Sequence, residues 1–180
     1  MRPAQELLDP DPRYATMVRV DTETGSVRPL HISDLHSLIG PVELGPEVPE
    51  EIRLQFDVAR SAFVYSWFAF ELVTLAEQQS YAALEMALRL RAERESLRKS
   101  SSGDLKTLLD NAVRRGWLQR EDYEIPSPSL PGKTLSILDL MKSLRNNLAH
   151  GNPHLFPDGS LEMMKLCAEI IWVWLFWNDE

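Results

Sequence analysis

The sequence predicts an all-α fold: a bundle of four or five helices with a very long first helix, preceded by an irregular N-terminal arm. Three observations predict it. Proline and glycine are absent from residues 50–99, apolar side chains recur there at helical spacing, and two later apolar segments end next to a glycine. The 180 residues are enough for one domain with a substantial core.

Composition and charge favour a soluble protein of the cytoplasm. Hydrophobic residues make up 44% of the chain and charged residues 26%, which is typical of soluble globular domains. The net charge of −8 disfavours a protein that coats nucleic acid through a basic surface, although it is compatible with a small basic cleft. The first residues lack the apolar core of a signal peptide. The apolar residues 161–177 are interrupted by three charges, so we expect no association with a membrane.

The sequence identifies no set of metal ligands. The single cysteine, Cys167, excludes a disulfide within the chain and disfavours a cysteine-based zinc site. His31, His36 and His154 lack metal-ligand spacing to nearby acids or cysteines. We therefore expect neither a metal ion nor another cofactor.

The N-terminal arm is predicted to comprise residues 1–48, and the helical domain residues 49–180. Seven of the twelve prolines lie in residues 1–49. Residues 17–20 and 26–28 flank a turn-forming segment and predict a short β-hairpin. Residues 32–38 are compatible with one helical turn.

Four helices are predicted in the helical domain. The first covers residues 49–99, either continuous or kinked, and is apolar on nearly all sides, which predicts that it is buried. The others cover residues 105–115, 135–150 and 161–177, with a loop at residues 119–133. The last helix carries tryptophans on more than one face, at positions 172, 174 and 177. A monomer of this size would not bury all of them, so we expect a homodimer.

The helix predicted over residues 135–150 has a polar stripe opposite its apolar face. At about 100° per residue, the stripe contains Asp139, Ser143, Asn146 and His150. Asn146 and His150 are neighbours one turn apart. Arg145 lies instead about 40° from the centre of the apolar arc. Its permanent charge therefore needs a partner or a path to water.

Carboxylates on the long first helix are the candidate partners of Arg145. Glu77 and Glu85 are favoured over Glu71, with a solvated helix edge as the alternative. A basic run begins at Arg89 on the same helix and is interrupted by glutamates. It predicts a solvated, salt-bridged helix end, with contact to an RNA backbone as the alternative.

The residue types at the end of the 135–150 helix fit the cleavage of RNA. The negative end of a helix raises the pKa of a histidine such as His150, which suits it to proton transfer near neutral pH. Arg145 has a planar fork of donors that stabilises phosphate charge, and Asn146 can orient either group. The nucleophile would be the 2′-hydroxyl of the RNA. The alternatives are a structural ion pair for Arg145 and capping of helix carbonyls for His150.

Residues 144–151 resemble the signature of the HEPN family. HEPN domains are small helical bundles in which an Arg, four to six further residues and a His stand at the end of a late helix, commonly with a polar residue after the Arg. Arg145, Asn146 and His150 match this pattern, with four residues between Arg145 and His150. The long helix also resembles the first helix of some HEPN subfamilies. The resemblance covers about residues 50–177.

This resemblance implies a metal-independent endoribonuclease with RNA as its substrate. Family members commonly dimerise so that two copies of the motif share one cleft, and many belong to toxin–antitoxin, phage-defence or RNA-processing systems. An antitoxin or another protein is then a candidate partner. Some HEPN domains lack activity, which leaves a non-catalytic dimer that binds a nucleotide, RNA or a protein as the alternative. The implied catalytic residues are Arg145, His150 and Asn146. The supporting residues predicted from the helical pattern are Glu77, Glu85, Ser143 and Asp139.

Overall fold

A computed structural model of the protein describes residues 3–95, 103–127, 131–149 and 157–176. Helices dominate this part of the chain, which confirms a mainly helical bundle. Their bounds are α1 Ile32–Ile39, α2 Glu50–Tyr65, α3 Leu72–Arg94, α4 Leu105–Arg114, α5 Ile137–Ala149 and α6 Pro157–Glu169. A π-helical segment, Ile170–Trp174, continues α6.

The predicted very long first helix is wrong, because residues 66–71 separate α2 from α3. The two helices pack against each other more extensively than any other pair of described elements. Between them, turn hydrogen bonds replace the α-helical ladder, as in the bonds from Trp67 to Val64 and from Phe68 to Tyr65. The sequence has neither proline nor glycine at this reversal, so helical spacing alone could not reveal it.

The N-terminal segment holds the reversal in place. The Asp11 N–H donates to the Trp67 carbonyl at 2.7 Å, and the Asp11 carboxylate accepts from the Phe70 N–H at 3.2 Å. The ring of Tyr14 packs on Trp67 and Phe70, with centroids 5.4 and 5.0 Å apart. The end of α2 and the start of α3 are therefore fixed by residues more than fifty positions earlier in the chain.

Two β-hairpins accompany the helices. Strand β1, Val18–Val20, pairs antiparallel with β2, Val27–Pro29, in the region where the sequence predicts a hairpin. Strand β3, Glu124–Pro126, pairs antiparallel with β4, Thr134–Ser136. This second hairpin corrects the loop predicted at residues 119–133. Its strands are three residues long and mostly exposed, so they show no alternating pattern that the sequence could reveal.

The later helices begin at positions other than those predicted. α5 begins at Ile137, because the residues before it pair as β4. α6 begins at Pro157, where proline is well suited to the first position of a helix. Residues 158–160, which precede the helix predicted at residues 161–177, therefore belong to its first turn.

Helix α3 lies at the centre of the core and contacts α2, α4, α5 and α6. Its apolar side chains surround it because neighbours cover most of its sides. One buried cluster joins α3 to the first half of α2, to α4, to α5 and to the second half of α6 with the π-helical segment. It includes Ile52, Phe56, Leu84, Leu88, Leu108 and Met141. A second cluster joins the N-terminal segment to the reversal and to α6, and it includes Tyr14, Leu35, Phe63, Phe70 and Met164.

Asp34 ties the first hairpin to α1. Its buried carboxylate accepts hydrogen bonds from the His31 N–H at 2.8 Å and from the Arg28 guanidinium at 2.5 and 2.7 Å. Arg19, on β1, lies 3.2 Å from the same carboxylate. The hydrogen bonds from Arg28 outweigh the opposing effect of burial and lower the pKa of Asp34 to about 2.

We expect replacement of Asp34 by asparagine to remove part of the acid sensitivity of folding. Because the folded-state pKa lies below the unfolded value, the charged carboxylate contributes fully above about pH 4, and this contribution is lost as the pH falls through about 2. It amounts to about 1–2 kcal/mol after allowance for the exposure of Arg28. Urea unfolding of wild type and Asp34→Asn should give stabilities that converge as the pH is lowered from neutral. A difference that stays constant with pH would contradict this expectation.

Candidate functional site

Arg145 pairs with a carboxylate on a neighbouring helix. Its Nε donates to Oε1 of Glu85 at 3.0 Å, and its Nη2 lies 3.0 Å from the same oxygen. Of the two carboxylates that the sequence favours, Glu85 is therefore the partner of Arg145. The Glu85 side chain is 10% exposed, whereas that of Arg145 is 37% exposed. The guanidinium is thus held by a buried carboxylate and is still accessible to solvent.

Glu85 also accepts a hydrogen bond from a second arginine. The Nη2 of Arg89 donates to the other carboxylate oxygen, Oε2, at 2.9 Å, and to the Gly103 carbonyl at 3.1 Å. Arg89 follows Glu85 by four residues on α3, a spacing that favours an ion pair. Each oxygen of one buried carboxylate therefore holds one guanidinium. We name Arg89, Glu85 and Arg145 the arginine bracket.

A cavity of 470 Å³ lies between α5 and the first turn of α4. It brings Arg145 together with Asp139, Ser143 and Asn146, three members of the polar stripe predicted on this helix. From α4 it adds Lys106, an exposed cation. The predicted site residues on α5 thus share one open space with the start of another helix.

A second cavity, of 280 Å³, lies against α3 and is also lined by Arg145. Gln78 lines it, and the Gln78 Nε2 donates to the Leu148 carbonyl at 3.2 Å. This bond satisfies one of the carbonyls that the last turn of a helix leaves unpaired, and it holds the end of α5 against α3. His150, for which the sequence predicts a role in proton transfer, lies outside the described residues.

The polar stripe of α5 is exposed at Asp139, Ser143 and Asn146. Asp139 is already engaged, because Lys142 and Arg120 pair with it at 2.9 and 3.0 Å. The hydrogen bond from Lys142 is the main reason that the pKa of Asp139 lies below its ordinary value. The Asp139 carboxylate, which lines the 470 Å³ cavity, is therefore held by these two ion pairs. Asn146 follows Arg145 in the sequence and lines the same cavity.

Glu77, the other carboxylate favoured as a partner for Arg145, takes different partners. It is buried and accepts hydrogen bonds from the Tyr81 hydroxyl at 2.9 Å and from the Ser160 hydroxyl at 2.6 Å. These bonds tie α3 to α6.

Near Glu77, burial raises the pKa of the Cys167 thiol to about 12, so this thiol stays protonated and unreactive near neutral pH.

Sequence reasoning missed three residues that belong to this site. Arg89 carries a usable signal, its i,i+4 spacing from Glu85, but the sequence favours a solvated helix end over contact with an RNA backbone for the run that it begins. Lys106 meets α5 only through tertiary packing of α4. Gln78 had no local signal, because a glutamine in the middle of a helix is common on exposed faces.

Across residues 3–95, 103–127, 131–149 and 157–176, none of the helices is both long enough and apolar enough to cross a membrane. In the same part of the chain, no three His, Cys, Asp or Glu side chains form a group that could hold a metal ion. Comparison of the chain with protein-family models, with curated proteins and with solved structures finds no match. The resemblance to HEPN domains therefore rests on the motif residues themselves.

Proposed function

We propose that this protein is a HEPN-type, metal-independent endoribonuclease that acts as a homodimer, with the Arg145–His150 motif at a shared cleft. The observation that carries the proposal is the setting of Arg145. It is anchored by Glu85, 37% of its side chain is exposed, and it lines two open cavities. A guanidinium that is already held in place and still presents an exposed fork of donors fits a phosphate. A place in toxin–antitoxin or phage-defence systems follows from the same resemblance.

The chemistry requires the RNA and the motif residues alone. The 2′-hydroxyl attacks the adjacent phosphorus, the bond from phosphorus to the 5′ oxygen breaks, and a 2′,3′-cyclic phosphate and a 5′-hydroxyl form. One proton leaves the 2′-hydroxyl and one is delivered to the departing 5′ oxygen, and His150 serves in these transfers. Arg145 stabilises the charge that develops on the phosphate oxygens, and Asn146 orients the phosphate or His150.

Exposed apolar side chains on α2 support the homodimer. Leu54, Val58 and Tyr65 are each more than half exposed. Their spacing of four and then seven residues places them on one face of the helix. Apolar patches of this kind mark contacts between proteins. The sequence predicts a homodimer partly from Trp172, but this side chain packs partly against the core. The exposed apolar face of α2 is therefore a better candidate for the dimer contact than Trp172.

A second candidate function is a HEPN-type dimer that binds RNA, a nucleotide or a protein without cutting it. The net charge of −8 favours this candidate in its protein-binding form, because it repels an RNA substrate outside a small basic cleft. Binding of RNA that depends on Arg145 and proceeds without cleavage would identify it.

The test of the endoribonuclease is incubation of the purified protein with end-labelled single-stranded RNA in excess EDTA. We expect fragments that end in a 2′,3′-cyclic phosphate. A matched oligonucleotide with a 2′-deoxynucleotide at the cut position should stay intact there, because the nucleophile has been removed. Cleavage of the 2′-deoxy position, or no cleavage of any RNA offered, would contradict the proposal.

A further inference from the structure

We propose that Arg89 is a second ligand for the phosphodiester backbone of RNA, held beside Arg145 by their shared partner Glu85. This inference rests on the proposed function and extends it. Arg145 would contact the phosphate at which the strand is cut, and Arg89 would contact a neighbouring phosphate. The arginine bracket would then both bind the RNA strand and position the phosphate to be cut at Arg145.

The charge of the arginine bracket favours a polyanion. Two guanidinium groups share one carboxylate, so the three side chains carry a net charge of +1. The Arg89 side chain is 39% exposed and that of Arg145 37%, whereas that of Glu85 is only 10% exposed. The negative group therefore lies beneath and the positive groups face the solvent. In a chain with a net charge of −8, this local positive charge favours binding of an RNA strand at the arginine bracket over binding elsewhere on the surface.

Both arginines keep hydrogen-bond donors for a ligand. Arg89 makes its two bonds, to Glu85 and to the Gly103 carbonyl, through Nη2 alone. Arg145 directs Nε and Nη2 at Glu85. Within the part of the chain that the structure describes, Nε and Nη1 of Arg89 and Nη1 of Arg145 have no acceptor. A guanidinium offers five N–H donors in a rigid fork that matches phosphate oxygens.

The surroundings of the arginine bracket preserve its surplus charge. Asp104, the N-cap of α4, interacts electrostatically with Arg145. Its Oδ1 is occupied by the N–H and hydroxyl of Thr107, at 2.9 and 2.8 Å. The exposed Lys106 offsets the charge of Asp104 and lines the same 470 Å³ cavity as Arg145. A strand that follows the cations therefore has an open path along the start of α4.

The test is binding of a 2′-O-methyl RNA oligonucleotide, which cannot be cut, measured by fluorescence anisotropy at several salt concentrations. Arg89→Gln keeps a donor towards Glu85 and removes the charge. We expect its Kd to rise about five- to tenfold at low salt, and the slope of log affinity against log salt to become shallower by about 0.7, the value for one lost contact on a single strand. Arg114→Gln, at an exposed arginine in the last turn of α4, should change neither quantity.

Further variants and kinetics make the outcomes distinct. Arg89→Lys retains the charge and should keep the wild-type salt slope. In cleavage assays, Arg89→Gln should raise KM and leave kcat within about twofold, as expected for uniform binding. If wild type binds RNA without cutting it, the proposed function fails while the binding comparison still decides the role of Arg89. Wild-type affinity and slope in Arg89→Gln, or equal slopes for the Gln and Lys variants, would overturn the inference.

Discussion

Replacement of Arg145 or of His150 by alanine is expected to lower the rate of RNA cleavage by roughly 10²–10⁴-fold. Without His150, the proton of the 2′-hydroxyl and that of the leaving oxygen have no positioned donor or acceptor. Without Arg145, the charge on the phosphate oxygens loses a stabilising group that is already in place before the reaction. Single-turnover cleavage at saturating protein measures the chemical step directly, separate from any loss of binding.

Stability measurements keep this result from being confused with unfolding. Glu85 retains Arg89 when Arg145 is removed, so Arg145→Ala should cost at most about 1 kcal/mol of unfolding free energy. The matched controls are Arg114→Ala and His36→Ala, which replace an exposed arginine on α4 and an exposed histidine on α1. Both should cut RNA at the wild-type rate. A variant at position 145 or 150 that did the same would remove that residue from the proposed site.

Replacement of Asp11 by alanine should lower the unfolding free energy by about 2–4 kcal/mol. Asp11 is only 4% exposed, and its carboxylate accepts from the Arg13 side chain at 2.8 and 2.9 Å and from the Phe70 N–H. Its removal leaves the buried Phe70 N–H without its acceptor. Arg13 would keep only its exposed partner Glu71 and its position over the Phe70 ring.

Urea unfolding near neutral pH measures the effect of Asp11→Ala. The matched control is Glu23→Ala, which removes an exposed carboxylate in the turn between β1 and β2 and should change stability by less than about 0.5 kcal/mol. The hydrogen bonds from Arg13 hold the pKa of Asp11 well below its usual range. The difference between wild type and variant should therefore persist at mildly acidic pH. A loss as small as that of the control would show that the reversal does not depend on Asp11.

The sequence predicted well those features that depend on neighbours along one helix. Periodicity placed Arg145 towards the core side of its helix and Asn146 on the exposed side. The need of a cation on the core side for a partner or a path to water pointed to two carboxylates, one of which is Glu85. Periodicity failed at residues 66–71, because the contacts that end α2 come from Asp11 and Tyr14. Contacts from residues so distant in the sequence do not affect the hydrophobic periodicity of the helix itself.

The same distinction holds for the site. The juxtaposition of α5 with the first turn of α4 creates the 470 Å³ cavity, and it depends on how two separate apolar faces pack on α3. No residue of α4 or α5 indicates from the sequence that these two helices lie side by side. Arg89 was visible at i+4 from Glu85, but its approach to Gly103, fourteen residues later, required the folded chain.

The central position of α3 has a consequence for motion at the arginine bracket. Glu85 and Arg89 belong to the helix that its neighbours cover on most sides, and such a helix opens only when the whole domain opens. Arg145 belongs to α5, whose polar stripe is exposed to solvent, and we expect this helix to separate locally at a lower free-energy cost than α3. Any local movement at the arginine bracket is then expected on the side of Arg145, while Glu85 and Arg89 keep their positions.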